Sequence, residues 1–139
     1  MATSLTRRVG FSAAHAYRIA AWSEERNTAA FGVWSHTHAH EYTCDVTVTG
    51  TPDPMTGFVV DLALLDRVLR AEVSERFHRR DIDRDVPEFG EAGMMSSCEN
   101  LARFICEQVQ AALAGAARVT RVVVAEDASL SAAYEPGPA

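Results

Sequence analysis

Cysteine is scarce in this chain, and so is any concentration of positive charge. Cys44, Cys98 and Cys106 are spread through 139 residues with no close spacing. An odd, scattered set argues against a disulfide framework and for a reducing compartment. Basic residues are outnumbered 13 to 19, giving a formal net charge of -6. Nucleic-acid binding needs a basic patch, so no nucleic-acid partner is expected, and a small molecule is the easier ligand. There is no run of about 20 apolar residues and no long apolar leader after Met1, so no membrane span or signal peptide is expected. Cytoplasm is the expected location. Internal repeats and low-complexity tracts are also missing. The length fits a single domain, 1-139, small enough that homo-oligomerisation would help cover its surface.

What the chain does have is a cluster of alternating histidines, Trp34-Ser35-His36-Thr37-His38-Ala39-His40-Glu41-Tyr42. Side chains two apart on a strand share a face. His38 and His40, or His36 and His38, can therefore aim at one point. Neutral imidazoles converging on a point suit zinc. Glu41 to Gly50 reads as a strand, with Tyr42, Cys44 and Val46 continuing the His38/His40 face.

Before the cluster, Leu5 to Ala14 alternates as a strand and ends near His15, among small residues. Taken alone, His15 reads as an ordinary hydrogen-bonded histidine. Tyr17 to Thr28 is mixed, either a short helical turn or a loop at the mouth of a site. After the cluster, Phe58-Val59-Val60 reads as a short strand. Asp61 caps a helix whose apolar stripe is Leu62, Leu65, Val68, Leu69, Val73 and Phe77. Arg79 to Asp85 reads as a solvated connector. Ser96 or Ser97 caps a second helix with Leu101, Phe104, Ile105, Val109, Ala112 and Leu113 buried, and Gly115 ends it. Glu99 sits in its first turn, where a carboxylate complements the helix dipole. Arg118 to Ala125 is the last strand, with Val119, Arg121 and Val123 on one face and Val122 and Val124 on the other. Strands and helices segregate, which argues α+β with two helices on one face of an antiparallel sheet.

Several ordered motifs resemble one family, that of 6-pyruvoyl-tetrahydropterin synthase and 6-carboxytetrahydropterin synthase. Phe11-Ser12-Ala13-Ala14-His15 resembles its Phe-Ser-Ala-(Ala/Ser)-His. His38-Ala39-His40-Glu41-Tyr42 resembles its His-Gly-His-Asn-Tyr. Gly57 to Leu62, Ser97 to Ala102, and Val124-Ala125-Glu126 with Tyr134 match further blocks in order. The resemblance implies the tunnelling fold: a four-stranded antiparallel sheet with two helices outside, subunits joining into a barrel as a trimer or hexamer, and active sites between subunits. It implies His15, His38 and His40 as ligands of Zn2+, and Glu126 as the anchor of a pterin-type ring. Glu99 is implied as a second substrate-binding residue.

The departures are specific. Trp34 stands where the family has a cysteine, leaving it a substrate-facing rather than a proton-relaying position. The family's aspartate-histidine pair has become His78 and Arg79. His78, or else His36, is then the expected proton carrier, with Glu24 or Glu25 as further candidates; Arg79 is a candidate for holding a substrate carboxylate or phosphate. The expected function is a zinc-dependent lyase or cyclase acting on a small polyoxygenated substrate, diverged from pterin synthesis into specialised metabolism. Two alternatives stand beside it: the family's own pterin reaction with a substituted proton carrier, and a non-catalytic zinc-containing binding protein.

Overall fold

The structure is a computed structural model that describes residues 2–138, the side chain of Ala92 excepted. Two long strands, β1 (Thr3–His15) and β2 (His38–Gly50), pair antiparallel from Thr3 opposite Gly50 to His15 opposite His38. β4 (Arg118–Asp127) lies on the other side of β2, and β5 (Leu130–Tyr134) beyond it, also antiparallel. A two-residue strand, β3 (Arg80–Asp81), pairs parallel with Ala13 and Ala14 on the free edge of β1. The sheet order is β3-β1-β2-β4-β5. The α+β class and the four antiparallel strands thus hold, with a short parallel strand added.

The strands differ from the expected set. Phe58-Val59-Val60 is not a strand: the Phe58 carbonyl accepts from Asp53 N–H, closing a turn, while Val59 and Val60 are buried. The fourth long strand is instead β5, in the tail. Its small residues carry little alternation, and Asp127 Oδ1 makes the hairpin by accepting from the backbone of Ser129 and Leu130 at 2.7 and 3.1 Å. In β4 a register shift opposite Thr47/Val48 places Val119 in the core with Val122 and Val124, not beside Arg121. A bulge of this kind inserts one residue and swaps the faces on either side of it.

One face of the sheet is covered by helices. α1 (Glu24–Phe31) is capped by Ser23 and followed by a 3-10 turn, Gly32–Ser35. α2 (Leu62–Leu69) starts at Asp61, whose side chain accepts from Ala63 N–H. It widens into a π turn over Arg70–Ser74 and closes as α3 (Glu75–Phe77). Leu65, Val68, Leu69, Val73 and Phe77 all face the core through that change of pitch. The charged stretch after it is no mere connector. It forms β3 and α4 (Ile82–Asp85), where Asp81 Oδ1 accepts from Arg84 N–H as the cap and Ile82 is completely buried. α5 (Cys98–Leu113) is capped by Ser97 and ends where Ala114 and Gly115 turn left-handed. Among the described residues, no helix is long and apolar enough to cross a membrane.

The core is aromatic at its centre. Phe11 stacks on Tyr42 at 4.8 Å and on Phe77 at 5.4 Å, and Phe104 meets Phe77 and Phe89 edge-on. Such contacts add to the burial of each ring, itself worth about 1.5–3 kcal/mol. This stack ends at the Tyr42 hydroxyl, and beyond it on the same face of the sheet lie the histidines.

Candidate metal centre

His15 closes β1, while His38 and His40 open β2. The ladder puts His15 opposite His38 and Ala13 opposite His40, so all three imidazoles stand on the helix-covered face. Their ring centroids lie 4.6 to 5.1 Å apart, with planes steeply inclined to one another. One ligand atom from each lies within 4.8 Å of the other two.

Two of the rings are oriented by carbonyls. His15 Nδ1–H donates to the Ser96 carbonyl at 2.8 Å, and His38 Nδ1–H donates to the His36 carbonyl at 2.8 Å. A carbonyl can only accept, so each Nδ1 must carry the proton, and in the neutral ring Nε2 is the nitrogen with the lone pair. This is the arrangement that prepares a histidine for a metal ion. His15 is fully buried, and burial pulls its pKa down from 6.5 to about 4, so the neutral form is held.

Four buried polar atoms lack a hydrogen-bond partner among the described residues: His15 Nε2, His40 Nε2, the Tyr42 hydroxyl and Glu126 Oε2. Buried orphans in one place are costly and call for an explanation. A divalent cation supplies one for the imidazoles, so the donor set fits a metal ion of the nitrogen-preferring type. Glu126 reaches the cluster from β4. Its Oε2 lies 3.5 Å from His40 Nε2 and 3.8 Å from His15 Nε2.

The other expected residues are not gathered here. His36 is exposed, and what it gives the cluster is its backbone carbonyl. Trp34 sits in the 3-10 turn with its indole 60% exposed; its carbonyl accepts from Tyr17 N–H at 2.8 Å. Glu99 is exposed at the start of α5, close enough to raise the pKa of Tyr17 and Cys98. His78 and Arg79 lie at the outer edge of β1. There Ser12 N–H donates to His78 Nδ1 at 3.1 Å, and Arg79 N–H donates to the Ser12 carbonyl at 2.6 Å. With Nδ1 accepting, a neutral His78 carries its proton on Nε2. Arg79 has φ of 60°, a conformation a side-chain-bearing residue adopts at a cost.

Sequence reasoning gives two tyrosines no role at the site, although it places Tyr42 on the His38/His40 face. Tyr17 packs edge-on against His15 and His38, Tyr42 against His15 and His40. Burial, then the Glu126 charge, pushes Tyr17 up to about 12; burial raises Tyr42 further. Tyr42 stands two residues beyond His40 within β2, where alternation carries the face to it, whereas Tyr17 lies past the end of β1 and only its closeness to His15 in the sequence points to it. No thiol replaces the one absent at Trp34. Cys44, Cys98 and Cys106 are all buried, and burial lifts Cys44 and Cys98 to about 12 and Cys106 in the same direction. Beside the cluster runs a cleft of about 610 Å³ lined by Ala16, Thr37, Asp83, Arg84, Phe89 and Met95 among others, though none of the three imidazoles opens into it.

A family model described as 6-pyruvoyl tetrahydropterin synthase matches residues 4–137. The 6-pyruvoyl tetrahydrobiopterin synthases of Pongo abelii and Homo sapiens are 36% and 35% identical over 111 residues, covering 78% of this chain and 75% of each relative. The structure of Caenorhabditis elegans 6-pyruvoyl tetrahydropterin synthase superposes with a TM-score of 0.89 at 26% identity, covering 99% of this chain and 97% of that one. Plasmodium vivax 6-pyruvoyl tetrahydropterin synthase shares the fold, with a TM-score of 0.68 over 98% of both chains. With the matching motifs lying along a matching sheet, the chain belongs to the 6-pyruvoyl tetrahydropterin synthase family.

Proposed function

We propose that this chain is a zinc-dependent carbon–oxygen lyase of the 6-pyruvoyl tetrahydropterin synthase type, acting on a pterin-like ring with a polyoxygenated side chain. One observation carries the reading: three imidazoles converge at the end of a sheet face, two of them with Nδ1 already committed to a carbonyl. His15, His38 and His40 would hold the ion. Bound there, zinc supplies Lewis acidity, lowering the pKa of a ligand hydroxyl and steadying negative charge beside a carbonyl. Three protein nitrogens are the usual donor count of a catalytic zinc site.

The chain's own groups divide the remaining work. Glu126 presents a carboxylate to the two N–H donors on a pterin-type ring edge, a pairing strengthened by its charge. Tyr17 and Tyr42 stay protonated next to the cluster and can donate a hydrogen bond to a developing oxyanion. His78, with Nδ1 accepting from Ser12 N–H, offers Nε2–H as a hydrogen-bond donor in its neutral form and is the first candidate proton carrier. His36 is the second candidate carrier. Glu99 and Trp34 flank the ligand, and Arg79 meets an anionic substituent. A homo-oligomer with sites between subunits would bring these outlying residues to a metal centre.

A second reading, a diverged substrate, is favoured by the indole at position 34 together with the three buried, protonated thiols. The test is incubation of zinc-loaded protein with dihydroneopterin triphosphate, read by release of inorganic triphosphate and mass of the ring product. Metal-dependent turnover supports the first reading. Ring binding without release of triphosphate, while another polyoxygenated substrate is turned over, selects the second. Tight binding with no turnover of any such substrate would make the protein a carrier and overturn both.

A further inference from the structure

We propose that Glu126 is itself a metal ligand, completing a three-histidine, one-carboxylate set when no substrate is present. The inference rests on the reading of His15, His38 and His40 as a metal site, and goes beyond it by filling the fourth position from the protein.

The geometry is the first argument. Metal–ligand bonds of about 2.0–2.2 Å in a tetrahedron put neighbouring donor atoms roughly 3.3–3.6 Å apart. Glu126 Oε2 stands 3.5 Å from His40 Nε2 and 3.8 Å from His15 Nε2, close to that spacing for two of the three imidazoles and beyond an ordinary charge-assisted hydrogen bond; an ion shared with His38 requires the carboxylate to move toward it. The second argument is burial. Glu126 is 9% exposed, and Oε2 is shielded with no hydrogen-bond partner among the described residues. Two imidazole nitrogens beside it are orphaned in the same way. A single cation among these atoms relieves all three, which no hydrogen bond between two of them can do. The third argument is placement. Thr43 pairs with Ala125, so Glu126 stands on β4 next to the end of β2 that bears His40, on the covered face. The strand delivers the carboxylate there by its alternation, Val122, Val124 and Glu126 pointing inward in turn.

A carboxylate oxygen on the ion is not free for a ring N–H. Glu126 would then change partners when substrate binds, moving from metal to ring and vacating a coordination position as it goes. Ring recognition and opening of the metal become one event. A ligand offering oxygens alone would leave the carboxylate without a second partner.

The experiment uses zinc and cobalt(II) as probes on wild type, Glu126→Gln, Glu126→Asp and His38→Ala, each checked for folding by circular dichroism. Zinc affinity is measured by competition with a chromophoric chelator, and coordination number by the visible spectrum of the cobalt(II) form. The expected result is a loss of about 10- to 100-fold in zinc affinity for Glu126→Gln, with a change in the cobalt spectrum as water takes the vacated place. Glu126→Asp is expected to fall between Gln and wild type. Zinc affinity within twofold of wild type in Glu126→Gln would overturn the proposal, and so would weaker binding with an unaltered cobalt spectrum. Retention of zinc by His38→Ala would instead overturn the metal site itself.

Discussion

His38 is held by a carbonyl that belongs to His36, so position 36 contributes through its backbone whatever its side chain does. His36→Ala should therefore bind zinc within about twofold of wild type, whereas His38→Ala should lose at least about 100-fold, both read by chelator competition. His15 gives a pH signature to the metal-free protein. Its folded pKa of about 4 lies below the ordinary 6.5. Between those values the unfolded chain binds a proton that the folded chain refuses. Stability is thus full above pH 6.5 and falls as pH drops toward 4, by about 3 kcal/mol in all. Urea midpoints of the metal-free protein near pH 7 and pH 4.5 measure it, and His15→Gln should flatten the slope. The histidines were legible because alternation on a strand is a local rule. The partnering of His15 with Ser96, 81 positions away, was not, since it depends on how α5 docks.

At the level of elements, caps and stripes were readable and edges were not. Asp61 and Ser97 announce α2 and α5 by residue type, and the apolar spacing behind them fixes the buried faces. Ser97→Ala should cost about 1 kcal/mol, measured as a shift in chemical denaturation. β3 and β5 escaped notice because a strand two residues long, or one built of Ser and Ala, acquires its identity from the neighbour it pairs with. Phe58 to Val60 shows the converse: Val59 and Val60 are buried without joining any ladder, while Phe58 stays exposed. Arg79 bears on both stability and function. With φ of 60° it occupies a position glycine would tolerate better, so Arg79→Gly should leave stability unchanged or raise it by about 1 kcal/mol. If its guanidinium meets an anionic substituent, the same variant raises KM in steady-state assays with little change in kcat.

For the whole molecule, the informative surface is the sheet face without helices. Across β1 and β2 it carries polar pairs: Thr6 with Thr47, Arg8 forked onto Asp45, and Ser12 Oγ–H donating to Glu41. Exposed pairs of this kind add little stability, but they make a face that can meet a second polar face. The family resemblance points to a trimer or hexamer, and light scattering should give a mass three or six times that of the chain. A monomeric mass would remove the expected interface and strand Trp34, His78 and Arg79 away from any metal centre. The ladder between β1 and β2 has one more effect. Because His15 faces His38 across it, sliding either strand by a single position would turn part of the triad to the opposite side. Added cation during refolding should therefore reward chains whose first two strands are correctly aligned, making the ion a check on assembly before it takes any part in chemistry.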